Sequence, residues 1–488
     1  MKTIRQLIQQ LDVISVRGDD RAEAASVCFD SREAGAGSLF VALKGTQTDG
    51  HRFLPQVTAA GACAVVVEDL PDQLAEHCCY VQVADTHLAL AQLAAAFYDD
   101  PSRQLRLVGI TGTNGKTTTV TLLHRLFTRL GYKAGLLSTI ENKIGEETLP
   151  STHTTPDALE VQRLLRVMAD AGCTYCFMEV SSHAVVQQRI AALHFAGGIF
   201  SNLTHDHLDY HRTFAAYLQA KKTFFDALPD TAFALVNADD PHGRVMLQNT
   251  KARPYTYGLK SATADFRARI MECQLYGMQL EIDRKEVWTH LTGEFNAYNL
   301  LAIYGAACLL GGDKDKLLVE LSALQAAEGR FHCMRGARGV TAIVDYAHTP
   351  DALENVLKTI HKIRQEGQRI LTVAGCGGNR DKTKRPEMAQ IAYAESDVLI
   401  LTSDNPRFES PKAILEDMRK GLEKEDESSY FVVEDRREAI KLAVRMANEG
   451  DIVLIAGKGH EKYQDIQGVK HPFDDVEIVK SFLDSKDK

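Results

Sequence analysis

The sequence predicts an α/β protein of three domains built on parallel sheets, the central one organised around a phosphate-binding glycine loop. Three observations carry this. The chain has 488 residues, more than one core normally fills. Short apolar runs alternate with helical stretches along most of it. Residues 109–119 read GITGTNGKTTT, with an apolar strand run before them and an amphipathic helix after.

In the first section SLFVAL and CAVVVE read as strands and HLALAQLAAAF as a helix, and the polar stretch YDDPSRQ, residues 98–104 with Pro101, reads as a linker. The second section opens on LRLVGI. Its glycine loop leads into a helix from about Lys116 to Leu130, with Gly131 as the stop. CTYCFMEV, GGIFSNL and FALVNAD continue the strand–helix alternation. The third section begins near residues 329–335. There TAIVDY, RILTVAG, DVLILTS and DIVLIAG each end in polar or glycine-rich sequence: DYAHTP, GCGGNRD, SDNPR and GKGHE. Open parallel sheets bind ligands at the carboxyl ends of their strands, so these four ends predict one shared ligand edge. The resulting domains are 1–100, 101–330 and 331–488.

Composition narrows the function. A net charge of -9 argues against nucleic acid as a partner, and no apolar run is long enough to insert in a membrane. The start MKTIRQLIQQLDVISV lacks a signal peptide's apolar region. Ten cysteines sit in apolar segments, as Cys63 and Cys308 do, which fits reduced thiols in the cytoplasm. Cys173 and Cys176 form an isolated C-x-x-C, read as core packing.

The glycine loop is the strongest local signal. The strict phosphate-loop pattern asks for glycine at position 110, where Ile110 stands. The physics survives that departure. Gly112, Thr113, Asn114 and Gly115 can curl backbone N–H groups around phosphate, Lys116 supplies charge, Thr117 offers an oxygen to Mg²⁺, and Thr118 completes the turn. Residues 204–211, THDHLDYH, hold three histidines and two aspartates. A zinc site, one Mg²⁺-ligating histidine and a structural turn all remain open there, though Tyr210 spoils the usual metallo-hydrolase spacing. Glu179 ends a strand, where a carboxylate can reach Mg²⁺ or simply face solvent. Lys221 and Lys222 read by composition as a solvated helix face. Asn296 and Asn299 sit at a helix start, where capping is the plain role. Arg407 follows Pro406 in a loop.

The ordered set of motifs resembles the Mur ligase family of peptidoglycan synthesis over essentially the whole chain. It comprises GTNGKT at 112–117, E-x-S-S at 179–182, N-x-x-x-D-H-x-D at 202–209, Y-x-x-A-K at 217–221, F-N-x-x-N at 295–299, G-R-F at 329–331 and D-Y-A-H-x-P at 345–350. The resemblance implies a uridine-nucleotide domain, a central P-loop domain and a C-terminal Rossmann-like domain, in a monomeric cytoplasmic ligase that uses ATP and Mg²⁺. It places Phe29, Ser31, Thr46, Gln47 and Thr48 on the uridine diphosphate. His153, Thr154, Thr155, Ser181, Gln187 and Arg189 fall on the sugar-peptide. It implies that Lys221 is carbamylated and binds Mg²⁺ with Thr117, Glu179 and His207, that Asn296, Arg330 and Asp345 surround the adenine nucleotide, and that Lys222 stays a solvated lysine.

DNPR at 404–407 resembles the loop of members that add meso-diaminopimelate to UDP-MurNAc-L-Ala-D-Glu. Asp404, Asn405, Pro406 and Arg407, with Arg380, Gly457 and Glu461, then contact the amino acid. A lysine-adding member, a folylpolyglutamate synthetase and a nucleotide-switch protein are the alternatives. The first section argues against the synthetase, which is usually two-domain, and the DNPR and GKGHE clusters argue against the switch.

Overall fold

The computed structural model describes every residue except 46, 47, 152, 207, 424 and 485–488, and at 208, 209 and 427 it describes the backbone alone. Three main sheets follow one another along the chain. The first has five strands in the order Val13–Arg17, Cys79–Val83, Ala64–Val67, Ser38–Val41, Ser26–Cys28. All neighbours are parallel except the first pair. Val65, Val66, Val67 and Val81 are solvent-free, as strands covered on both faces must be.

The central sheet has eleven strands. Its middle is parallel, with Arg106–Thr111 between Tyr175–Glu179 and Phe195–Phe200. Antiparallel hairpins extend both ends, Glu141–Pro150 on one side and residues 266–289 on the other. The sequence pattern did not resolve these hairpins, because their strands are half-exposed and short of apolar runs. The helix Lys116–Arg129 covers one face and buries Val120, Leu123, Leu126 and Phe127. Its neighbour Glu294–Leu309 is apolar nearly all round and runs through the same core.

The third sheet runs His332–Arg335, Thr341–Asp345, Ile452–Ala456, Ile370–Cys376, Val398–Ser403, Tyr430–Val432. Only the first pair is antiparallel. The four strands with polar endings therefore lie side by side and point the same way, and one edge collects their loops. A fully buried ion pair, Arg436 with Asp475, braces this edge, and Arg436 Nη2 also donates to Ala456 O at 3.0 Å.

The stretch 98–104 joins the last helix of the first section to the central sheet and packs as it does so: Pro101–Arg103 forms a 3-10 turn, Pro101 and Ser102 are buried, and Ser102 Oγ accepts the His194 N–H at 3.0 Å. Two expectations are overturned. Lys222 is not solvated. It is only 6% exposed, and Nζ holds both Asp226 oxygens at 2.6 and 2.8 Å. The helix Phe214–Asp226 packs both lysines inward, so the pair at i, i+4 meets against protein. Asn296 does not cap its helix; its Nδ2 donates to Thr292 O at 2.9 Å.

Candidate active site

The carboxyl ends of the central and C-terminal sheets face each other across one cleft of about 870 Å³. The glycine loop forms its floor. Gly115 has φ 87°, and a Cβ there would lie 2.4 Å from Asn299 Oδ1, so only glycine fits at this close approach. Asn299 in turn donates to Asn296 Oδ1 at 3.2 Å. Asn202, at the end of the neighbouring strand, steadies the loop: its backbone O takes the Thr113 N–H and its Oδ1 the Asn114 N–H, both at 2.9 Å. The helix begins at Lys116, and the free N–H groups of a first turn form an anion site. Thr117 and Thr118 are buried beside it.

Two lysines converge on one carbonyl. Lys116 Nζ and Lys221 Nζ each donate to Gly112 O at 2.8 Å. Lys116 also reaches Thr113 O at 2.8 Å. Lys221 is 1% exposed. Burial pushes its pKa well below the ordinary lysine value, and the charge of Lys116 pushes it further. Burial lowers Lys116 as well. A buried amine that holds its proton less tightly is a better nucleophile than an exposed lysine. Glu179, itself 1% exposed, faces the same space from its strand end, with Oε1 fixed by the Thr139 N–H at 2.8 Å. His207 lies outside the described residues, and among those described no cluster of three His, Cys, Asp or Glu forms a metal site.

Arg330 crosses from the third section, donating to Thr117 Oγ1 at 3.2 Å and lying 4.5 Å over the Tyr346 ring. Asp345 accepts the Phe331 N–H at 2.7 Å, and burial raises its pKa to about 6. Burial holds His348 and His460 neutral, pushed down to about 4 and about 3. Asp351 was not singled out from sequence. Its Oδ2 accepts Asn114 Nδ2 at 2.7 Å and Thr204 Oγ1 at 3.2 Å, joining the third sheet's first helix to the glycine loop. Its only sequence signal is a position just after the D-Y-A-H-x-P string.

On one wall, Thr155 Oγ1 donates to Glu179 O at 2.8 Å and accepts the Ser181 N–H at 3.1 Å. Arg189 donates to Thr155 O at 2.7 Å and to Gln187 Oε1 at 3.0 Å. Thr154 takes the Thr139 hydroxyl, and His153 lines the rim. Phe29, Ser31 and Thr48 sit elsewhere, on the strand-end loops of the first sheet and outside the lining of this cleft. Thr46 and Gln47 fall outside the described residues.

The opposite wall holds Arg380, Asp404, Asn405, Arg407, Gly457 and Glu461, with Pro406 buried behind them. Arg407 has φ 51°, an unusual conformation for a side-chain-bearing residue. The hairpin Tyr463–Pro472 holds it there: Arg407 N donates to Asp465 O at 2.9 Å, and Gln467 N donates to Arg407 O at 2.8 Å. Its guanidinium reaches Gly378 O at 2.9 Å. One end of the cleft therefore offers phosphate and carboxylate chemistry. The other offers paired cationic and anionic groups, as a zwitterionic ligand requires.

Comparisons with known proteins agree with this geometry. The Mur ligase middle domain matches residues 110–307, the Mur ligase glutamate ligase domain residues 329–459, and the Mur ligase family catalytic domain residues 23–98. The chain is 55% identical over 486 residues to the UDP-N-acetylmuramoyl-L-alanyl-D-glutamate–2,6-diaminopimelate ligase of Cytophaga hutchinsonii, covering 99% of this chain and 100% of that one. It is 53% identical to the ligase of that name from Phocaeicola vulgatus, covering 98% and 99%. A solved structure of a ligase with this name superposes with a TM-score of 0.70 at 34% identity, covering 99% of this chain and 98% of the other. No described helix is long and apolar enough to cross a membrane. This chain belongs to the Mur ligase family.

Proposed function

We propose that this chain adds meso-diaminopimelate to the D-Glu γ-carboxylate of UDP-MurNAc-L-Ala-D-Glu at the expense of ATP. The observation that carries this reading is the single cleft with Lys116, Glu179 and Lys221 at one end and Arg407, Asp404 and Glu461 at the other. A carboxylate resists amide formation because oxide is its leaving group. A carboxylate oxygen attacks the γ-phosphorus of ATP, the bond to the β,γ-bridging oxygen breaks, and ADP departs. The amine then attacks the acyl carbon, loses a proton, and phosphate leaves with its bonding pair. Lys116, at the mouth of the helix, offsets charge on the transferring phosphoryl group. Arg407 takes the distal carboxylate of diaminopimelate through its planar fork, and Asp404 and Glu461 take the distal ammonium. Positioning does most of the remaining work.

A magnesium ion suits the donors present. The Thr117 hydroxyl and Glu179 carboxylate are hard oxygen ligands, whereas Lys221 as an ammonium would repel the ion. Attack of its neutral amine on CO₂ forms a C–N bond, moves one C=O pair onto oxygen and releases a proton. The resulting carbamate would add its oxygens to that donor set. Bound there, the ion would supply charge neutralisation at the ATP phosphates. The sugar-peptide lies along His153, Thr154, Thr155, Ser181, Gln187 and Arg189, with the uridine end toward Phe29, Ser31 and Thr48. Asn296, Arg330 and Asp345 frame the adenine nucleotide.

The test is purified protein with ATP, Mg²⁺ and the UDP-dipeptide, offered diaminopimelate and lysine separately. Phosphate release dependent on diaminopimelate is the expected result. Preference for lysine reassigns the acceptor, and turnover without the UDP-dipeptide removes the reading.

A further inference from the structure

Behind Asp404 and Glu461 lies a lysine that does not line the cleft. The Lys458 side chain is 0% exposed. Its Nζ donates to Asn405 Oδ1 at 3.0 Å and to Glu461 Oε2 at 3.3 Å. Asn405 Nδ2 closes the ring by donating to the same Glu461 oxygen at 2.6 Å. Asn405 Oδ1 also receives the Asp465 N–H at 2.9 Å, and the Asn405 N–H reaches Asp404 Oδ1 at 2.6 Å. The strand ends 404–405 and 457–461 and the hairpin Tyr463–Pro472 are thus tied at one buried ammonium. Burying an ammonium is costly unless its donors are used. A lysine kept in such a place without reaching the ligand acts through what it holds.

We infer that Lys458 is a positioning residue that holds Asn405 and Glu461 in the geometry and charge state that receive the distal ammonium of diaminopimelate. This rests on the functional reading above. Two carboxylates, Asp404 and Glu461, face one another here. Burial pushes Glu461 upward, Asp404 adds to the push, and Lys458 opposes both. Arg436 also faces the two acids, but its fork is engaged by Asp475. Tyr346 approaches from the strand end at 345. Lys458 is the cation hydrogen-bonded to Glu461 itself, whereas the guanidinium of Arg407 on the same wall reaches Gly378 O at 2.9 Å. Without Lys458, Glu461 takes up a proton at higher pH, and a protonated carboxyl is a poor partner for an ammonium.

The experiment uses Lys458→Met, which removes charge and donors at similar size, and Lys458→Gln, which keeps a donor and removes the charge. Thermal melting establishes folding. The measurement is kcat/KM for diaminopimelate at saturating ATP and UDP-dipeptide from about pH 6.5 to about pH 9, expressed as the ratio of variant to wild type so that the substrate's own titration cancels. Both variants should lose kcat/KM for diaminopimelate relative to wild type, most at the acidic end, because Glu461 without the Lys458 charge holds its proton to higher pH, and the ratio should recover as pH rises. KM for ATP and for the UDP-dipeptide should hold steady. A ratio flat with pH, equal losses for all three substrates, or failure of both variants to fold makes Lys458 a stability residue and overturns the inference alone. Wild type inert toward diaminopimelate removes the functional reading, and this inference with it.

Discussion

Arg407→Ala should collapse the discrimination between diaminopimelate and lysine. The two amino acids differ by one distal carboxylate, so selectivity needs a cation aimed at that group. The backbone of residue 407 is held from both sides by the hairpin Tyr463–Pro472, and truncation leaves those bonds in place. The positive φ of 51° is equally strained for alanine. The change therefore reports the guanidinium and little else. Truncating one partner of a desolvated charge pair costs about 2–5 kcal/mol. Arg407 is only half-buried, which favours the lower part of that range. A loss of about 2–3 kcal/mol is roughly 30- to 150-fold. It should appear mainly in KM for diaminopimelate, read by phosphate release at saturating ATP, with lysine as the parallel substrate. Arg407→Lys should recover little, because an ammonium lacks the planar fork. Full diaminopimelate selectivity in Arg407→Ala, or an equal rise in KM for ATP, would refute the assignment.

Lys221→Ala should be nearly inactive, and short-chain carboxylates should restore part of the activity by supplying the missing oxygens. Isotope-labelled bicarbonate that leaves no carbamate NMR signal on native, active wild type contradicts the carbamate. Lys222→Ala should keep its activity at low temperature but lose about 1–3 kcal/mol of stability, since it strips the buried partner from Asp226; an unchanged melting temperature would show that the ion pair contributes nothing. Asp345 is raised from 3.8 to about 6 in the folded chain. A raised carboxyl favours the fold most when protonated, so it weighs against stability as pH climbs through that interval, by about 1.4 kcal/mol for each pH step between the two values. Asp345→Asn should therefore gain more melting temperature relative to wild type near about pH 7.5 than near about pH 4, while turnover falls. The reverse order of melting temperatures would mean that Asp345 is stabilised as the anion.

Much of this was legible in the chain itself. Strand–glycine loop–helix is a local pattern, because Gly112 and Gly115 permit a turn that other residues resist. Four apolar runs with polar endings also announce a ligand edge, because parallel strands share a direction. The motif order carried the family. Tertiary structure decided what periodicity cannot encode. Lys221 and Lys222 are neighbours of identical chemistry, and both are buried; one meets Gly112 O and the other Asp226 only because the Phe214–Asp226 helix docks as it does. Asp351 reads as an ordinary residue of a helix's first turn, and becomes a bridge when two sheets more than two hundred positions apart in sequence bring it to Asn114. Lys458 stands inside GKGHE, beside residues assigned to the amino acid, and strand packing instead removes all solvent from it. Sequence determines which groups are available and where the backbone can turn; burial and the distance between remote segments decide which groups are charged and what each one holds.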